Sequence, residues 1–198
     1  MAHSKTAERA ASEAASEAPA KPDAKPQRKR ITRRKAVEER VRSYFEAMDR
    51  RDAAAMAEHW REDGVEDVVP VGLLRGKQEL RDFFDATFRA MPDARTTVGR
   101  IVAGETSCAV EWRLEGTFDG APFMDIEPTG GHVEIRGFDL FELEDGQLVS
   151  NTAYYDAASF ARQIGMLPAD GSGADRAMKS AFNAVTKLRR AVAERRGD

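Results

Sequence analysis

The stretch HVEIRGFDLFELE, His132 to Glu144, alternates apolar and polar residues with the period of two that an extended strand imposes on its side chains. Val133, Ile135, Gly137, Asp139, Phe141 and Leu143 fall on one face, and His132, Glu134, Arg136 and Glu142 on the other. One acid, Asp139, therefore lies on the apolar side. A carboxyl carried into low dielectric has its charged form disfavoured, which raises its pKa toward neutrality, where it can take or give a proton. Asp139 is on this ground the candidate catalytic acid-base group. Two quieter readings stand beside it: a neighbouring Tyr, His or backbone donor satisfies the carboxylate, or Gly137 marks a bulge that turns it to solvent.

Working outward, Asp145-Gly146 is a tight-hairpin signal, because both turn positions favour positive φ, and it leads into a strand over Gln147 to Tyr155. Upstream, Ser107 to Phe118 alternates with Cys108, Val110, Trp112 and Leu114 facing one way, and Arg95 to Ala103 is a further strand. These four predict an antiparallel meander. Before Pro92 the apolar period is near 3.6 instead. Val37, Val41, Tyr44, Phe45 and Met48 predict a helix from about Ala36, and Asp52 caps a short one, Ala53 to Trp60. Glu66 to Val71 is a short strand candidate, Gly72 and Gly76 bracket a turn, and Lys77 to Ala90 is a helix with Leu80, Phe83, Phe84 and Phe88 on one stripe. Helices first and a sheet after define an α+β class. Asp156 caps a short helix through Ile164, and Ala174 to Arg196 is a basic amphipathic helix with Met178, Phe182, Val185, Leu188 and Val192 near one face. Packing on the domain is the favoured reading of that last helix, over pairing with a second copy or lying on a membrane surface.

The formal net charge of −3 is unevenly spread, with the ends net basic and the middle of the chain acidic. Residues 1–35 hold 10 basic and 4 acidic residues and almost no large apolar one, which predicts a disordered arm. Residues 36–168 are the expected domain, and 169–198 a linker and the basic helix. The run from Arg28 to Lys35 has the charge to bind nucleic acid or an anionic surface; a solubilising arm is the plainer reading, since no aromatic is interleaved for base stacking. Cys108 is the single cysteine, so no disulfide forms within the chain. The first twenty residues lack the apolar core of a signal peptide, and no run of about 18 apolar residues would span a bilayer, which predicts a cytoplasmic protein. No metal-spaced cluster, nucleotide-binding glycine loop or nucleophile elbow occurs, so no metal or cofactor is expected.

Three groups of residues carry a resemblance. They are Arg51-Asp52-Ala53-Ala54-Ala55-Met56 leading to His59-Trp60; Gly116-Thr117-Phe118, Pro128-Thr129-Gly130 and Gly137-Phe138-Asp139-Leu140-Phe141; and Tyr155-Asp156 running into Gln163-Ile164-Gly165-Met166-Leu167-Pro168. In this order and spacing the chain, from Val37 to Pro168, resembles the SnoaL-like polyketide cyclase family, within the cone-shaped superfold shared by nuclear transport factor 2 and ketosteroid isomerase. The resemblance implies a cone-shaped barrel of helices packed on a curved, mostly antiparallel sheet, with an apolar pocket between them. In the family's cyclases the aspartate matching Asp139 is the base and acid of an intramolecular aldol closure. Tyr44, His59, Trp60, Trp112, Phe118, Phe141 and Tyr155 are the candidates to line the pocket for a small hydrophobic molecule.

Departures from the family pattern bear on mechanism. Phe118 and Asp119 stand where many members carry a polar His-Thr pair, and Asp125-Ile126-Glu127 replaces the usual Gly-Ile-Pro. An enolate needs a donor as well as a base; Tyr44, His59, Trp112 and Tyr155 are the candidate replacements. The alternative to a cofactor-free enzyme is a non-catalytic module that binds a small ligand or a protein. Phe138 and Leu140 on the outer face of the strand suggest that the sheet is covered, and pairing through the sheet into a homodimer is what the superfold implies.

Overall fold

A computed structural model of the chain describes residues 24–197. Helix α1 (Ala24–Asp49) and short helix α2 (Ala53–Glu58) lead into strands β1 (Trp60–Val69) and β2 (Gly72–Arg75), then helix α3 (Gly76–Ala90). Strands β3 (Arg95–Ala103), β4 (Ser107–Phe118), β5 (Gly131–Glu144) and β6 (Gln147–Tyr155) follow, then helices α4 (Ala157–Gln163) and α5 (Gly173–Gly197). The six strands form one sheet in the order β2-β1-β6-β5-β4-β3, antiparallel throughout except for the parallel pair β1 and β6. The meander of β3 to β6 and the α+β layering are as the sequence predicts. Asp145 and Gly146 turn the last hairpin with φ of 48° and 79°, the left-handed values a two-residue hairpin turn uses.

Several boundaries differ from the sequence reading. Residues 1–23 of the expected disordered arm lie outside the described residues, whereas α1 is already helical at Ala24, well before Ala36. Burial of Val37, Val41, Tyr44, Phe45 and Met48 supplies the helix nucleus, and the Lys, Arg and Gln residues upstream extend an existing helix at little cost. Arg30 Nε donates to Glu105 at 2.5 Å and Arg33 lies 3.8 Å from the same carboxylate, so the exposed basic run is tied to the turn after β3. The helix expected to reach Trp60 stops at Glu58, and Trp60 instead opens β1, pairing with Leu148 of β6. Gly72 to Arg75 is a strand rather than part of a bare turn, paired with β1 from Val65 to Val68.

Helices α1 to α4 pack on the inner face of the sheet and bury two apolar clusters. One joins Val41, Tyr44, Phe45, Phe84, Phe141 and Leu148; the other joins Met91, Leu114, Phe118, Val133 and Ile164. Both helix caps read from the sequence form: Asp52 Oδ1 accepts from Ala55 N and Asp156 Oδ1 from Ser159 N, each at 2.9 Å. The favoured reading of the C-terminal helix does not hold. Met178, Phe182, Val185, Leu188 and Val192 of α5 all remain exposed, and the bonds of its first turns run to its own linker. Asp175 Oδ2 accepts from Gly171 N at 3.0 Å, Arg176 Nη1 donates to Gly171 O at 2.6 Å, and Lys179 Nζ donates to Asp175 and Asp170. Among the described residues no helix is long and apolar enough to cross a membrane.

Candidate active site

Strand β5 delivers Asp139 to the inner face of the sheet, where it is 3% exposed. Its pairing with β4 is unbroken from Gly131 to Glu142, so the bulge considered at Gly137 is absent. The glycine has a different cause. Gly137 sits directly across from Trp112 of β4, and a Cβ there would collide with the indole ring. The bare backbone lets the indole lie over β5 and reach Asp139, whose Oδ1 accepts from Trp112 Nε1 at 2.7 Å. Gly137→Ala is therefore expected to displace Trp112, lowering stability by about 1–3 kcal/mol as overpacked cores do. Urea unfolding followed by tryptophan emission reads both effects, and an unshifted spectrum with unchanged stability would contradict the seat.

A second acid lies beside the first. Asn151 of β6 directs its Nδ2 to Asp139 Oδ2 at 3.2 Å and to Glu66 Oε1 of β1, also at 3.2 Å, so one amide bridges two carboxyls. Glu66 and Asn151 are each 2% exposed. Burial pushes Asp139 up to about 7, against the Trp112 and Asn151 donors, which favour its charged form. Burial and then the charge of Asp139 push Glu66 up to about 8. Two acids this close release their protons in two steps that belong to the pair. Near neutrality the site holds one carboxylate and one carboxylic acid, a base and a donor side by side.

Tyr44 of α1 lies beside Glu66 and Trp60, and burial together with the two acids holds its hydroxyl well above the usual phenol range, so it stays protonated. Its Oη, Trp60 Nε1, Glu66 Oε2 and Asn151 Oδ1 are all buried without a hydrogen-bond partner. Buried polar atoms are nearly always paired, so four unpaired ones among neighbouring residues mark a polar site in an otherwise apolar interior. Next to it is a cavity of about 100 Å³ whose wall includes Glu66, Asp139, Trp112, Tyr155, Phe83 and Phe123.

The residues singled out in the sequence separate into three groups. Asp139, Trp112 and Tyr155 border the cavity. Tyr44 and Trp60, in edge-on contact with ring centroids 6.3 Å apart, stand behind Glu66. His59, Phe118 and Phe141 are not on the cavity wall. His59 closes α2 against Arg40, 3.5 Å away, and burial and the charges of Arg40 and Arg50 lower its pKa. Phe118 fills the second apolar cluster, and Phe141 packs edge-on against Tyr44 and Phe45 in the first. Glu66 and Asn151 were not singled out. Among the described residues no three His, Cys, Asp or Glu side chains gather as metal ligands would.

Helices folded over a curved six-stranded sheet, with buried carboxyls at the edge of an apolar cavity, define a ketosteroid isomerase-like cone. The model of the SnoaL-like polyketide cyclase family matches residues 38–164, and the chain belongs to that family. A protein assigned as a SnoaL-like polyketide cyclase from Jannaschia sp. CCS1 is similar in structure, with a TM-score of 0.62 at 20% identity, covering 68% of this chain and 95% of that one. AclR from Streptomyces galilaeus, assigned as a hydroxylase, has a TM-score of 0.62 at 20% identity over 83% of this chain and 99% of its own. A protein with a ketosteroid isomerase-like fold from Catenulispora acidiphila has a TM-score of 0.56 at 19% identity, covering 68% and 97%. At such identities the likeness is one of fold. A comparison with curated protein sequences finds no match.

Proposed function

We propose that the chain is a cofactor-free acid-base enzyme of the cyclase or isomerase type, acting on a hydrophobic carbonyl compound. The observation that carries this reading is the pair of buried carboxyls held on one amide beside an apolar cavity. Asp139 as carboxylate removes a proton from the carbon next to a substrate carbonyl, and the electron pair moves onto the carbonyl oxygen. Glu66 as acid donates a hydrogen bond to that oxyanion, the part filled in this superfold by a neutral acid or phenol. In a cyclisation the enolate carbon then attacks a second carbonyl, and the proton held by Asp139 passes to the alkoxide formed; in an isomerisation it returns to a different carbon. Trp112 holds Asp139 in place and weakens its basicity only in part.

The cavity is smaller than the roughly 300–1,000 Å³ of a usual ligand pocket. Phe123, half-buried on the loop between β4 and β5, contacts Phe83 with ring centroids 5.8 Å apart, and its outward turn admits a larger substrate. We place the reaction in the cytoplasm, a reading supported by a lone buried thiol in a chain that forms no internal disulfide.

The test is α-proton exchange in a hydrophobic β-dicarbonyl probe, followed in deuterium oxide by mass spectrometry across pH. The rate is expected to rise as Asp139 ionises near pH 7 and to fall as Glu66 loses its proton near pH 8. Glu66→Gln, which cannot ionise, should abolish the alkaline fall. A Gln variant with the alkaline limb intact removes Glu66 from the mechanism.

A further inference from the structure

Among the described residues nothing covers the apolar stripe of α5. At 3.6 residues per turn Met178, Phe182, Val185, Leu188 and Val192 share an arc of about 120°, and Phe182 and Leu188 are 70% and 66% exposed. A lone helix is marginal in water and draws most of its stability from burying such a stripe. Two features of the helix bear on what buries it. From Gly173 to Arg195 it carries six basic and two acidic side chains, and one of the acids, Asp175, is buried at the root against Lys179. The exposed charge therefore favours an anionic partner. Arg189, seven residues after Phe182 and four after Val185, falls inside the apolar arc. Against a protein surface that guanidinium would leave water within the apolar contact, at a desolvation cost that can exceed what a matched acid returns. Between two copies of α5, like charges would meet in the seam. At a lipid surface the long side chain instead lies along the acyl boundary and lifts its charge to the phosphates.

We propose that α5 lies in the plane of an anionic lipid surface, with its apolar stripe among the acyl chains and its lysines and arginines among the headgroups. No described helix is long and apolar enough to cross a membrane, so the contact is on the bilayer and not through it. The bonds that Asp175, Arg176 and Lys179 make to residues 170 and 171 hold the first turns on the linker and leave the rest of the helix clear of the domain. Met166 in that linker and Met124 at the tip of the loop between β4 and β5 are 59% and 53% exposed, and add apolar surface at this end of the molecule. The same loop and α4 supply Phe123 and Phe160 to the cavity wall. Docking through α5 thus brings that end of the cavity toward the bilayer, where hydrophobic compounds concentrate. Delivery of a substrate rests on the proposed activity; the lipid contact does not.

Sedimentation of the full chain with vesicles reads the contact. The wild type is expected to pellet with mixed phosphatidylserine and phosphatidylcholine, to stay in solution with phosphatidylcholine alone, and to be released as salt shortens the reach of the charges. Phe182→Asp with Leu188→Asp, and separately Arg189→Glu with Arg190→Glu, should each lower the partition coefficient more than about tenfold. Circular dichroism checks that each variant keeps its sheet. Phe182→Trp gives an independent reading: on anionic vesicles the emission of the added indole should shift to the blue and its quenching by acrylamide should fall. A wild type that ignores anionic vesicles overturns the proposal, and a loss of mass by light scattering in the Phe182→Asp, Leu188→Asp variant would then assign the stripe to a second copy. Binding that survives both pairs of helix substitutions also overturns it, since the basic run of α1 would then be the contact. So does an indole as open to acrylamide with vesicles as without.

Discussion

Asp139→Asn should reduce α-proton exchange by about 10²- to 10⁴-fold, the range a positioned general base contributes, while leaving the fold intact. The amide oxygen of the variant still accepts from Trp112, whose bond to Oδ1 is 2.7 Å in the wild type. Its new N-H group meets Asn151, whose Oδ1 has no partner and can turn to accept it. Binding of a substrate-sized ligand, measured by calorimetry, is therefore expected to persist as turnover collapses. That split between binding and rate distinguishes a catalytic acid from one that merely supports the fold. A variant that exchanges protons at the wild-type rate would end the acid-base reading, whatever its stability.

Stability should fall as pH rises, and Glu66 should be a main cause. In the unfolded chain a glutamate ionises near 4.3, whereas burial and Asp139 hold Glu66 up to about 8 in the fold. Below about pH 4 both states keep the proton and the group has no effect. Between about pH 4 and 8 the unfolded chain has released a proton that the folded chain retains, so stability declines with pH. Above about 8 the penalty is complete, on the order of 5 kcal/mol for a shift of this size. Asp139, up to about 7, adds a decline of the same sign that is complete one unit sooner. Urea unfolding of wild type and Glu66→Gln at pH 5, 7 and 9 checks the sign, since the difference should widen in favour of the Gln variant toward alkaline pH. A pH-independent difference would show that Glu66 is not held protonated.

Asp139 was legible in the sequence because β5 is regular: every second residue from Val133 to Leu143 points inward, and the acid could be placed by counting. Glu66 was hidden by its company. Glu62, Asp63, Glu66 and Asp67 all fall within β1, so the stretch reads as a charged surface, and beginning the strand at Glu66 discards the parity that Trp60, Gly64 and Val68 share with it. Asn151 was hidden by geometry. Leu148 and Asn151 both face inward although three positions apart, a change of phase beside the irregularity between Glu142 and Leu143, and counting by twos from Leu148 turns the amide outward. The role of Gly137 depends on its cross-strand neighbour, which no local pattern reveals. The same holds for Phe118 and Phe141, since inward-facing aromatics look alike until the helices show which of them face open space.

The shared amide of Asn151 sets the kind of molecule this interior admits. One amide serves both acids, and burial together with the charge of Asp139 favours the neutral form of Glu66 against that amide's pull. A ligand arriving with its own carboxylate or phosphate would add an anion where, among the described residues, no Lys, Arg or His lines the cavity, and desolvating that anion is strongly unfavourable. On the proposed acid-base reading the reacting end of the substrate is therefore expected to be uncharged, an ester, ketone or aldehyde. Any acidic group it carries must remain at the rim, in water. Methyl or thioester masking of a free acid would then decide which of two otherwise similar compounds the protein accepts.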